Sequence, residues 1–132
     1  MNEILKKIEN FHGHLGPYVV IGYRMGHIAN EKFGTDPFLK KATVFTGCKP
    51  PISCIVDGIQ LSSGCTLGKG NIKVDNKNQA KVIFSNKKGE TLEIKLKDSV
   101  KNEIDKVVTD ENMVDFSQNL YKKSDLELFE VL

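Results

Sequence analysis

Apolar and polar residues alternate at helical spacing through the first third of the chain. Residues 2–10 place their apolar side chains on one face, which predicts a short amphipathic helix. The stretch HGHLG interrupts this pattern, and Pro17 then suits the first turn of a second helix, where an amide proton is not needed. We expect the second helix to continue to Lys32 and to end before Gly34.

Two glycines, Gly22 and Gly26, lie four positions apart within this second predicted helix. A glycine inside a helix costs about 1 kcal/mol relative to alanine, so its presence needs a compensating reason. Close approach of another backbone would supply that reason, and the pair therefore favours a dimer.

The middle of the chain changes to strand spacing. Residues 42–46 (ATVFT) predict a short strand that stops before Pro50-Pro51, and residues 52–64 predict a helix of about three turns. The stretches QAKVIFS and TLEIKL predict a hairpin with Gly89 in its turn, and NIKV predicts a further strand.

Helical spacing returns after the hairpin. One apolar stripe begins near Asp98, a second begins at Met113, and SDLE at Ser124 predicts a capping box that opens a last short helix. Strands and helices do not alternate regularly. The order therefore predicts an α+β fold with a mainly antiparallel sheet, as a single domain over residues 1–132.

Composition narrows the class of protein. The net charge is only +2, from 19 Lys and Arg against 17 Asp and Glu, which argues against nucleic acid as a partner. No apolar run is long enough for a membrane span, and the N-terminus lacks the apolar core of a signal peptide. The three cysteines show no secreted disulfide pattern, so we expect a cytoplasmic protein with free thiols.

The pair His12 and His14 lies between the first two predicted helices. Two histidines at this spacing are a weak metal signal alone, because zinc needs three or four ligands. With Cys54 and Cys65 they would form a nitrogen and sulfur set suited to zinc, although spacing does not show it. The alternative is that one histidine makes local hydrogen bonds and the other is exposed. We expect His27 to be a surface or packing residue.

Cys54 falls in the first turn of the third predicted helix. A helix N-terminus lowers the pKa of a thiol, which would make Cys54 a nucleophile or a metal ligand. Asp57, three residues later, would share its face. The alternative, a small buried apolar residue, is equally consistent with the helix pattern.

The stretch SSGCTLGKGN fails as a phosphate loop, because three residues rather than four separate Gly64 from Gly68 and Gly70 follows the lysine. Backbone amides near Gly64, Gly68 and Gly70, together with Lys69, could still contact an anion. The alternative is a turn that leads into a strand, with Lys69 in solvent. Beyond this stretch the chain has no His or Cys, and we expect it to be scaffold.

Together, FHGHLGPYVVIGYRMG and CIVDGIQLSSGCTLGKGNI resemble the core domain of the E-subunit family of formylmethanofuran dehydrogenase. The resemblance implies an α+β core, a homodimer, and a metal-binding or active-site cleft. It carries over to seven residues: His12, His14, Cys54, Asp57, Gln60, Cys65 and Lys69. It also implies possible partners among the other polypeptides of the molybdenum or tungsten formylmethanofuran dehydrogenase. We expect the family's C-terminal zinc finger to be absent, since the chain has no CxxC pair.

One position departs from the family pattern. The family usually has a cysteine after HGHL, and here that residue is Gly16. One thiolate ligand is therefore missing, and Cys48 is a possible substitute in space.

Three hypotheses follow. The first is a small metal-binding accessory protein, with zinc on His12, His14, Cys54 and Cys65, and Asp57 orienting a histidine. The second is a stand-alone enzyme that uses Cys54 as nucleophile and His12 or His14 as base, with Asp57 and Lys69 also in catalytic roles. The third is a non-catalytic dimeric subunit whose motif residues are structural.

Overall fold

Six α-helices surround a five-stranded sheet in the computed structural model, which describes residues 1–132. Short 3-10 turns at Pro37–Leu39 and Leu67–Lys69 flank the first strand and the third helix. The helices are α1 (Glu3–His12), α2 (Pro17–Phe33), α3 (Cys54–Ser63), α4 (Asp98–Val107), α5 (Met113–Tyr121) and α6 (Asp125–Leu128).

The sheet has the strand order β2-β1-β3-β4-β5. Only β1 and β2 run parallel, and the other three neighbouring pairs are antiparallel. This confirms the predicted α+β fold with a mainly antiparallel sheet. The strands are β1 (Lys40–Val44), β2 (Ile72–Val74), β3 (Lys81–Asn86), β4 (Thr91–Leu96) and β5 (Phe129–Val131).

The core lies between α2 and one face of the sheet. Val82 and Phe84 of β3 are fully buried there, and Leu92 and Ile94 of β4 pack in the same cluster. Their alternation with more exposed residues is the period-two pattern that a one-sided sheet requires. No helix combines the length and the apolar character needed to cross a membrane.

The glycines of α2 serve contacts inside the chain. A Cβ at Gly22 would meet the backbone carbonyl of Ile55 in α3, and a Cβ at Gly58 would meet the carbonyl of Val19 in α2. The two helices therefore pack backbone against backbone. The paired glycines give no support to a dimer, because their close approach is already accounted for by α3.

Several element bounds differ from the predictions, and one strand was not predicted. Helix α1 continues to His12, because Gly13 (φ 102°) closes it with a left-handed C-cap. Strand β1 begins at Lys40 rather than residue 42, since its pairing with β3 extends that far. Strand β5 was not predicted, because three residues carry too little alternation to be recognised. The capping box at Ser124 is confirmed.

Candidate functional site

The end of α1 fixes the position of His12. This residue is the last of the helix, and the backbone N–H of Gly13 donates to the Glu9 carbonyl to close the turn. Leu5 and Ile8 on the same helix are buried against Val19 and Val20 of α2. The packing of α1 therefore holds the His12 ring over the N-terminal part of α3.

His12 contacts Asp57, one turn into α3, through a hydrogen bond of 2.7 Å between Nδ1 and Oδ2. Its side chain is only 10% exposed, whereas that of Asp57 is 40% exposed. With Nδ1–H donating to the carboxylate, the Nε2 atom of the neutral ring keeps its lone pair. That Nε2 atom is buried and has no hydrogen-bond partner. Asp57 thus orients a histidine, as the sequence suggested.

Both histidines and Cys54 line one cavity of about 260 Å³, which we call the His/Cys cavity. The His12 and His14 ring centroids are 4.9 Å apart. Gly16 also lines the cavity, and a Cβ there would lie 3.1 Å from His14 Nε2. The position at which the family's cysteine is missing therefore faces the same space.

The environment of Cys54 opposes thiolate formation. It begins α3, as predicted, but burial raises the pKa of its thiol and the negative charge of Asp57 raises it further. A backbone hydrogen bond lowers the pKa of this thiol, but by less than the other two causes raise it. The prediction that the helix terminus would lower this pKa is therefore wrong for the protein without a cation, because desolvation dominates.

A third wall comes from the C-terminal half, where we expected only scaffold. Ile104, Val108 and Met113 supply apolar surface to the His/Cys cavity. Asp105 also lines it and accepts hydrogen bonds from the Tyr18 hydroxyl (2.5 Å) and Lys101 Nζ (2.8 Å).

The Tyr18–Asp105 contact affects both groups. Burial, followed by the hydrogen bond to the carboxylate, raises the pKa of Tyr18, which stays a hydroxyl. Burial also pushes the pKa of Asp105 upward, but the bonds from Lys101 and Tyr18 outweigh it and hold that pKa below its usual value. No spacing signal in the sequence could have joined residues 87 positions apart.

Cys65 and the glycine-rich segment lie elsewhere. Cys65 is fully buried in the main core and does not line the His/Cys cavity. Lys69 and Gly70 line a separate cleft, and Gly64 packs against Pro37. The expected set of His12, His14, Cys54 and Cys65 is therefore not assembled, and Lys69 does not line the His/Cys cavity. No group of three or more His, Cys, Asp or Glu side chains is arranged to hold a metal ion.

Two further expectations concern residues outside the cavity. His27 is a surface residue, as predicted, with a side chain that is 58% exposed and 3.5 Å from Glu31. Cys48 is exposed and borders a shallow cleft beside Asp57 rather than the His/Cys cavity. It does not replace the thiol that Gly16 lacks.

Comparison with known protein families identifies the family of this chain. The family model described as "FmdE, Molybdenum formylmethanofuran dehydrogenase operon" matches residues 11–130. The chain belongs to the FmdE family. The match includes both the histidine segment and the elements that form the third wall of the cavity.

One solved structure and one sequence relative are similar to this FmdE-family chain. A solved tungsten formylmethanofuran dehydrogenase FmdE-like protein from Syntrophus aciditrophicus is 23% identical, with a TM-score of 0.72. The alignment covers 98% of this chain and 69% of that one. A probable S-adenosyl-L-methionine-binding protein of Archaeoglobus fulgidus is 34% identical over 74 residues, 54% of this chain. The aligned part is 20% of the length of that relative.

Proposed function

We propose that this FmdE-family chain is a metal-binding accessory protein whose divalent metal, zinc by preference, is held in the His/Cys cavity. The observation that carries the proposal is the Nε2 atom of His12. A buried ring nitrogen without a hydrogen-bond partner is costly, and a metal would satisfy it. Its other nitrogen is held by Asp57 at 2.7 Å, which is the arrangement common to metal-bound histidines.

The residue types present would suit such an ion. His12, His14 and Cys54 line one cavity and offer two imidazoles and one sulfur, and they would have to converge from their present arrangement to bind zinc together. A nearby dication favours the thiolate of a coordinating cysteine, so it would reverse the raised pKa of Cys54. Bound zinc would supply Lewis-acid polarisation of a ligand in the cavity.

The chain's own residues would prepare the cavity for that ion. Asp57 keeps the lone pair of His12 on Nε2, and Ile104, Val108 and Met113 give the cavity an apolar wall. Catalysis by the chain alone is not part of the proposal.

The nucleophile hypothesis has less support. Attack by Cys54 requires thiolate, and both burial and Asp57 raise the pKa of this thiol. No hydrogen bond joins Cys54 to His12, whose Nδ1 is occupied by Asp57. The metal hypothesis uses the same residues and accounts for the unpartnered nitrogen as well.

Family membership supports subunits of the molybdenum or tungsten formylmethanofuran dehydrogenase as the partners that we propose. We further propose, from the sequence alone, a homodimer and a cytoplasmic location. Co-purification with those subunits tests the partners, and sedimentation analysis of the isolated chain tests the homodimer.

Zinc titration of untagged protein against a chromophoric chelator tests the metal site. We expect one zinc per chain, with affinity reduced at least tenfold in His12→Ala and in Cys54→Ala. The matched controls are His27→Ala and Cys48→Ala, because both residues are exposed and lie outside the His/Cys cavity. Equal zinc affinity in His12→Ala and His27→Ala would remove the basis of the proposal.

A further inference from the structure

A second cleft, of about 540 Å³, lies beside the first strand and shares no residue with the His/Cys cavity. Four lysines line it, and no acidic residue does. We call it the basic cleft, defined by Lys40, Lys41, Lys69 and Lys87. It contains Lys69 of the glycine-rich motif, which has no role in the proposed metal site.

The lysines of the basic cleft lack ion-pair partners within the chain. None of its four lysines forms an ion pair, whereas Lys73, Lys81, Lys95 and Lys101 each pair with a carboxylate. Lys40 is only 1% exposed, and its Nζ donates to the carbonyls of Gly34 (2.7 Å) and Asp36 (3.2 Å). A buried ammonium is costly even with such partners, so an anion close by would be stabilising.

The glycine-rich motif builds the wall of this cleft. The side-chain amide of Asn71 donates to the carbonyls of Pro37 (2.8 Å) and Lys40 (3.3 Å). Its oxygen accepts from the backbone N–H of Thr66 at 2.8 Å. The Asn71 side chain therefore joins residues 37–40 to the loop of residues 66–71, which contains Lys69.

Side chains rather than backbone amides face the cleft. The N–H of Lys69 donates to Thr66, and the N–H of Gly70 donates to the Leu67 carbonyl. Both amides are thus used within the 3-10 turn and are not free for an anion. The N–H of Gly64 is likewise used, by the Gln60 carbonyl, and the lysines that line the cleft come from three segments of the chain.

Two exposed apolar side chains line the same cleft. Phe38 is 67% exposed and Leu39 is 43% exposed, and both line the basic cleft. Exposed aromatic rings of this kind are enriched in binding sites, because stacking or burial of a ligand's apolar part is favourable. The cleft therefore offers a cationic part and an apolar part to the same ligand.

We infer that the basic cleft is a second binding site, for a small phosphate-bearing molecule with an aromatic or other apolar part. Phosphate matches the site because its several oxygens would accept from more than one of the lysines that line the cleft. The apolar part would lie against Phe38. This inference does not depend on zinc in the His/Cys cavity.

Titration with phenyl phosphate and with inorganic phosphate, followed by amide NMR shifts, tests the site. We expect saturable shifts confined to residues 38–41, 69–71 and 85–87, with phenyl phosphate binding more tightly. Lys69→Ala and Lys41→Ala should each weaken binding about tenfold, the effect of losing one hydrogen bond to a charged group. Phe38→Ala should abolish the advantage of phenyl phosphate and leave inorganic phosphate unchanged.

Lys106→Ala is the matched control, because this lysine is exposed, forms no ion pair and lies outside the cleft. Each variant is first checked for an unchanged amide spectrum, since these side chains lie at the surface. Shifts that do not saturate, or equal losses in Lys69→Ala and Lys106→Ala, would overturn the inference. Zinc titration of Lys69→Ala gives wild-type affinity if the two sites are independent.

Discussion

Replacement of Asp57 by asparagine separates the charge of this residue from its shape. The asparagine side chain still offers an oxygen to His12 Nδ1, where the structure has a hydrogen bond of 2.7 Å. It lacks the negative charge that strengthens that bond and that also reaches Cys54. The change should therefore affect the two proposed metal ligands, His12 and Cys54, in opposite directions.

The size of each effect follows from the contacts. Loss of an outer-shell carboxylate typically reduces metal affinity tenfold to a hundredfold, or about 1.4–2.7 kcal/mol. In the metal-free protein, the pKa of Cys54 should fall, because Asp57 raises it in the wild type. Burial, the larger cause, is retained, so the pKa should stay above that of a free thiol.

Two assays measure these effects. Competition with a chromophoric chelator gives the zinc affinity, and the rate of alkylation against pH gives the Cys54 pKa in a Cys48→Ser background. Glu9→Gln is the matched control, because this carboxylate lies on α1 but forms no ion pair and does not line the cavity. Unchanged zinc affinity in Asp57→Asn, or a higher Cys54 pKa, would refute the reasoning.

Three further predictions concern packing, pH and the family's missing cysteine. Gly58→Ala should lower the free energy of unfolding by about 3 kcal/mol, because its Cβ would meet the backbone of α2. Gly68→Ala is the control, since its Cβ would lie in open space, and it should change that free energy by less than about 0.5 kcal/mol. Urea denaturation measures both. The stability advantage of wild type over Asp105→Asn should be full above about pH 4 and disappear as the pH falls further, because folding lowers the pKa of Asp105. An advantage that grows in acid would contradict this sign. Gly16→Cys, facing His14, should tighten zinc binding at least tenfold by adding a ligand, and unchanged affinity would place the metal elsewhere.

Hydrophobic spacing was sufficient for most of the fold. The α2 helix ends one residue beyond its predicted end at Lys32, and the strands of the hairpin lie where alternation placed them. Strand β5 was not predicted, because its three residues form a strand only through pairing with β4. Such a segment is defined by tertiary contacts, which local spacing does not contain.

The site was less predictable than the fold. The chemical types of His12, His14 and Cys54 were enough to select them as candidate site residues. The contact between His12 and Asp57 could not be predicted, because it joins residues 45 positions apart and depends on how α1 packs on α3. Burial of Cys65 in the core could not be distinguished from ligation, because both suit a free cysteine. The direction of the Cys54 pKa was mispredicted because helix position was known and desolvation was not.

The zinc K-edge X-ray absorption spectrum of untagged protein tests the central claim most directly. The account predicts nitrogen ligands at about 2.0–2.1 Å and a single sulfur at about 2.3 Å, with the nitrogen signal reduced in His12→Ala. Two or more sulfur ligands would bring Cys65 or Cys48 back into the site, against their positions in the structure. A shell without sulfur, unchanged in His12→Ala, would contradict the account.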